Sequence, residues 1–207
     1  MHYISDCGVV LNAKTIALII TFASLAIVLN PAISGIGIPY PLLPGLYFEV
    51  WEIPVLVAFL LFGWKVAISA GLINTAFLIA VFPGMSQPYY FTNFFAQVSM
   101  IIGIYLATRL ISGKIQEDKP VSSRRLVLSS VLLATFFRVV LMWANMFFIL
   151  YVDPLQVYPT TPAWYIVKII WPPQAILNII LTLYMVPSSY LIARIVNRNM
   201  KIGNKVL

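Results

Sequence analysis

Arg138 stands twelve residues into an apolar run that begins at Leu126, about 18 Å along a helix rising 1.5 Å per residue. If that run crosses a bilayer, the guanidinium lies near the midplane. A charge there costs about 2.5–3.5 kcal/mol even on insertion scales, so it faces a cavity or a partner. Thr135, Met142 and Asn145 share its helical face. Two more polar stripes lie close by. Asn93 and Gln97 are spaced i, i+4, and Gln174, Asn178 and Thr182 are spaced i, i+4, i+8. Such a set could bind a small molecule, the guanidinium donating to a carbonyl or anionic group while the amides donate and accept. Lys168 adds a cation, and Tyr89, Tyr90, Trp143 and Trp164 could stack on a flat ring. The competing reading is hydrogen bonding between helices, worth about 0.6 kcal/mol each. Because no partner for Arg138 is visible in the sequence, Arg138→Met is expected to weaken ligand binding about 10- to 150-fold while sparing the fold.

Other chemistries lack their residues. Cys7 and His2 are single, so one copy assembles neither a disulfide nor a Cys/His metal cluster, and no buried Ser–His pair is available for a hydrolase. The acids Asp6, Glu49, Glu52, Glu117, Asp118 and Asp153 read as scattered, none deep in an apolar run. No Gly-x-x-x-x-Gly-Lys-Ser/Thr phosphate loop occurs, so ATP hydrolysis falls to another chain. No metal and no cofactor is expected, nor an enzyme.

The elements that must position the polar stripes are membrane helices. Of 207 residues, 61% are hydrophobic and 9% charged, with a mean hydropathy of +0.96, which excludes a water-soluble domain. Apolar runs cover residues 15–29, 53–62, 66–82, 94–111, 126–151 and 174–196, each read against the roughly 20 residues a span requires. The second is short, and either extends back through residues 47–52 or is packed against protein. The sequence predicts an all-α integral membrane protein of about six spans, one transmembrane domain over residues 1–207. The first run reads as a span rather than a signal peptide, since no small-x-small cleavage pattern follows it.

Charge sets the orientation. Alternating the connections puts Lys14, Lys65, Arg109, Lys114, Lys119, Arg124, Arg125, Arg194, Arg198, Lys201 and Lys205 on one side and Lys168 on the other. Basic residues in short loops stay in the cytoplasm, so both termini are expected there, with a cytoplasmic loop at 113–125 and a basic tail at 197–207. That distribution explains the net charge of +7 better than nucleic-acid binding does. The outer connections 31–51, 83–92 and 152–173 are rich in Pro, Gly, Tyr and Trp, suited either to the headgroup level or to a pre-ordered lid. At the opposite end, Ala13, Ala17 and Thr21 form a small-residue stripe that lets another helix approach closely.

Several segments carry a resemblance. The stretch 14–74 holds a basic residue, a small-residue helix ending Ile27-Val28-Leu29-Asn30, a proline-bearing loop, then Tyr47-Phe48-Glu49-Val50-Trp51-Glu52-Ile53-Pro54, Leu61-Phe62-Gly63-Trp64-Lys65 and Ala70-Gly71. It resembles the S components of energy-coupling factor (ECF) transporters, prokaryotic vitamin importers. Thr135-x-x-Arg138 followed by Asn145 is similar to the fifth helix of the riboflavin-type branch. Thr21 departs from the family's all-alanine stripe, and Glu49 stands where aspartate is more usual. The resemblance implies a substrate-binding subunit in a prokaryotic cell membrane that captures a vitamin-like molecule from outside, riboflavin being the leading candidate. It also implies a transmembrane coupling subunit that docks on Ala13, Ala17 and Thr21, and two ATPases. The alternative is a self-contained secondary transporter or channel, and an intramembrane enzyme stands third.

Overall fold

A computed structural model describes residues 12–43, 45–82, 87–112, 124–152 and 165–200. The expected loop 113–125 lies outside them except for Arg124 and Arg125, and the tail 197–207 except for its first four residues. The chain forms α1 (Ala13–Leu29), the single turn α2 (Pro31–Ser34), the strands β1 (Ile38–Pro39) and β2 (Tyr47–Phe48), then α3 (Glu52–Phe62), α4 (Trp64–Val81), α5 (Gln87–Ser112) and α6 (Arg124–Val152). A π-helical turn, Ile166–Ile170, leads into the last helix, α7 (Trp171–Met200).

Local chemistry explains the boundaries. Asn12 caps α1, its side-chain oxygen accepting from the Thr15 N–H at 2.8 Å. Asn30 ends α1 and starts α2 by accepting from the Ala32 N–H at 3.0 Å, with Pro31 in the first helical position. Gly63, at φ 88°, is the only residue between α3 and α4; a side chain would strain that sharp reversal. Pro187 is accommodated inside α7.

Among the described residues, four segments are long and apolar enough to cross a membrane: Trp64–Val81, Tyr90–Ile111, Arg124–Phe147 and Lys168–Asn199. The helices α1 and α3 are apolar but shorter, at 17 and 11 residues. Eleven residues span only about 16 Å, half a hydrocarbon core. Of the two explanations for the short second run, packing against protein is the one observed: nine of the eleven residues of α3 are buried, and the helix does not extend back through residues 47–51. The missing length is filled by the β1–β2 hairpin, antiparallel with Ile38 opposite Phe48. Tyr40 in the hairpin donates to the Pro173 carbonyl at 2.8 Å, and Tyr184 of α7 donates to the Glu49 carbonyl. Hairpin pairing and the bond to Glu49 thus satisfy part of the non-helical backbone within the protein, as is needed away from water.

The core joins α3 to α1, α4, α5, α6 and α7 around Trp51, Leu56, Met100, Ile104, Met185 and Val186. The pair α5 and α6 is tightest. A Cβ at Gly103 would overlap the Ala134 backbone and lie 2.7 Å from the Leu133 carbonyl carbon, so glycine is what allows the two backbones to meet. Large apolar side chains such as Ile20, Val28, Leu128, Leu132, Leu183 and Leu191 point outward, the pattern of a bundle solvated by lipid. In α1 the buried residues are Ile19, Ala23 and Ala26, while Ala13, Ala17 and Thr21 are exposed. Among the described residues, the small stripe is not used for packing within the chain.

Candidate functional site

The centre of the bundle is an ion pair. Arg138, on the middle turns of α6, is 2% exposed, and Glu52, the first residue of α3, is 0% exposed. The guanidinium meets both carboxylate oxygens: Nη1 donates to Oε2, and Nη2 to Oε1 at 3.1 Å. Nε donates to the Asn178 carbonyl oxygen on α7 at 2.8 Å, and Nη1 also contacts the Met100 sulfur on α5 at 3.1 Å. Four helices are tied to one side chain. Because α3 starts only halfway through the bundle, its N-terminus, the positive end of the helix dipole, delivers Glu52 to the depth of Arg138.

This corrects two readings. The acids are not all peripheral, since Glu52 is fully buried. Arg138 is not an unpaired charge, and removing it would strand a buried carboxylate rather than relieve the fold. Glu49, in the connection between β2 and α3, is also drawn in. Burial, then the neighbouring Glu52 carboxylate, raises its carboxyl from 4.5 to about 8, partly offset by Arg138.

The other proposed residues divide. Asn178 joins the arginine cluster and also donates to the Gln174 backbone carbonyl at 3.0 Å. Asn145 donates to the Thr92 hydroxyl at 2.9 Å, linking α6 to α5. Gln174 and Asn93 are half-buried. Gln97 is 1% exposed, and neither its amide nitrogen nor its oxygen has a partner. Lys168 is exposed on the π-helical turn, apart from the buried cluster. Tyr89 lies on the first turn of α5, its side chain outside the described residues, as is all of Trp164. Trp143 packs edge-on to Phe147 and Trp171, with centroids 4.9 and 6.3 Å away, and Tyr90 is buried.

The sequence reading missed Glu52, Met100 and Asn74. The first was detectable, because an arginine at mid-membrane requires a counter-charge and Glu49, Glu52 and Asp153 are the acids that adjoin apolar runs on the expected outer side. Asn74 gave no stripe to notice. It is 0% exposed on α4, and both its amide atoms lack partners. Each buried unmatched polar group costs about 1–3 kcal/mol, and native structures hold few of them.

Neither a protein-family model nor a curated protein matches the chain. A solved structure of the S component of a bacterial ECF transporter does, with a TM-score of 0.67, 20% sequence identity and coverage of 91% of this chain and 98% of that one. The fold is that of an ECF S component. At this identity the likeness is one of architecture, and it reaches nearly end to end on both chains.

Proposed function

We propose that the chain is the substrate-binding subunit of an ECF-type importer. It captures a vitamin-like small molecule from outside a prokaryotic cell membrane and hands it on by docking with a transmembrane coupling subunit that carries two ATPases. The observation that carries this reading is the S-component fold over 91% of the chain. Two features support it. Polar groups are gathered inside an otherwise apolar bundle, on the side of the hairpin, as a capture site requires. The stripe of Ala13, Ala17 and Thr21 is exposed and small, leaving room for a partner helix. Both termini lie in the cytoplasm in this reading, following the basic residues. Riboflavin is the leading substrate on the strength of Thr135-x-x-Arg138 and Asn145. Asn93, Gln97, Gln174 and Asn178 line its site with Arg138 and Asn145, and the sequence adds Tyr89, Trp164 and Lys168 from the outer connections.

A second reading, a self-contained secondary transporter, gains one observation: Glu52 is an intramembrane carboxylate of the kind that couples transport to protons or sodium. Its pairing with Arg138 weighs against that role, since a coupling carboxylate must be free to exchange its cation. The test is assembly. Co-expressed with the coupling subunit and ATPases of its own genome, the chain co-purifies with them, and Ala17→Trp disrupts the complex while sparing substrate binding. A chain that never associates with such a module, or an Ala17→Trp variant that assembles normally but loses its ligand, overturns the assignment.

A further inference from the structure

The buried amides of the described residues are not alike. Asn30, Asn145 and Asn178 all have hydrogen-bond partners, and Asn74 and Gln97 have none on either amide atom. These two belong to one seam. A Cβ at Gly71 would overlap the Gln97 side-chain oxygen and lie 3.5 Å from Phe94, so the Gln97 amide lies across the face of α4 that carries Gly71. Asn74 is one turn along that same face. On α5, half-buried Asn93 is one turn nearer the hairpin end than Gln97, on the same side of the helix. Three primary amides thus run along the α4–α5 seam, and glycine at position 71 leaves the space that the Gln97 side chain fills.

Charge decides what could bind. Arg138 is matched by Glu52, so the pair adds no net charge. The groups left without partners are neutral, and each amide offers a donor and an acceptor side by side. We propose that Asn74 and Gln97, with Gly71 making room for the Gln97 amide, form a hydrogen-bonding subsite for an uncharged ligand edge that itself presents donors and acceptors together, an amide, lactam or ureide. An anion would meet two amide oxygens as well as two nitrogens, and a cation the reverse; only a mixed edge matches both. The inference rests on the substrate-capture reading and adds to it the seam and the ligand class.

Asn74→Leu and Gln97→Met keep side-chain size while removing the polar atoms. Thermal unfolding of the ligand-free purified variants and equilibrium binding are measured with three probes: riboflavin, whose ring has a neutral ureide edge, its dianionic 5′-phosphate, and the cation thiamine. Ligand-free variants that melt no lower than wild type, with riboflavin binding weakened about five- to tenfold in each, as loss of a neutral hydrogen bond gives, support the subsite. Variants that melt well below wild type show amides held by buried water and overturn it, as does unchanged riboflavin affinity. Wild type that binds only thiamine refutes the neutral ligand class and leaves substrate capture standing. Wild type that binds none of the three, yet assembles with the coupling module, overturns the ureide edge alone; failure of both binding and assembly removes the capture reading.

Discussion

Arg138→Met is the most informative single substitution because the structure reverses its expected sign. The guanidinium holds Glu52 through two contacts and Asn178 through a third, and all three side chains are buried. Without it, the Glu52 carboxylate is left in an apolar core or must take up a proton. Removing one partner of such a pair costs about 3–5 kcal/mol. For a chain of this size each kcal/mol lowers the melting temperature by about 2–4 °C, so a drop of about 6–20 °C is expected in detergent. Glu52→Leu should destabilise comparably by stranding Arg138. The double variant Glu52→Leu, Arg138→Met removes both charges and should recover most of the loss, because buried pairs replaced together by apolar groups are often neutral or stabilising. Thermal unfolding of the four proteins gives the coupling energy directly. An Arg138→Met protein that melts within 2 °C of wild type, or a double variant no better than either single one (thresholds of about one-half kcal/mol), would refute the reasoning.

Gly103→Ala drives a methyl group into the Ala134 backbone, which cannot yield as a side chain can; overpacking of this kind costs about 1–3 kcal/mol, read as a lower melting temperature, and an unchanged value contradicts the close α5–α6 contact. Cysteines placed at Gln116 and Asn199 should label only after the membrane is permeabilised, and one at Thr160 from outside; Gln116 and Thr160 reactive from the same face would defeat the proposed topology. Gly63→Ala should destabilise by more than about 1 kcal/mol, since φ 88° is unfavourable for a side chain, and a neutral result would mean that the α3–α4 reversal relaxes at no cost.

Much of the architecture was legible because lipid imposes a simple pattern. Each apolar run from 66 onward became a long helix with ends within a few residues of those expected, except that α5 starts seven residues early, at Gln87, and Arg138 with Asn178 came together as their helical faces implied. The failures share a physical cause: they concern what one segment does to another. The length of α3 depends on the hairpin that covers it, and nothing within residues 47–54 alone tells a helix from a strand followed by a turn. Glu52 and Arg138 are 86 residues apart, so their pairing follows only once the depth of α3 is known. Asn74 stands alone among apolar residues on α4, and its importance appears only because Gly71 admits Gln97 from the facing helix. The stripe of Ala13, Ala17 and Thr21 was found by periodicity, whereas the burial of Ala23 and Ala26 on the other side of α1 required the packing of α3 and α4.

Transport in liposomes tests the central claim most directly. With the chain reconstituted alone, and separately with the coupling subunit and ATPases, uptake of radiolabelled riboflavin is followed with and without internal or external ATP on the ATPase side. Substrate capture predicts binding by the chain alone, accumulation only when the module and ATP are both present, and none from counterflow in liposomes containing the chain by itself. Counterflow of labelled substrate through the isolated chain, independent of ATP, would contradict the account and establish a self-contained transporter.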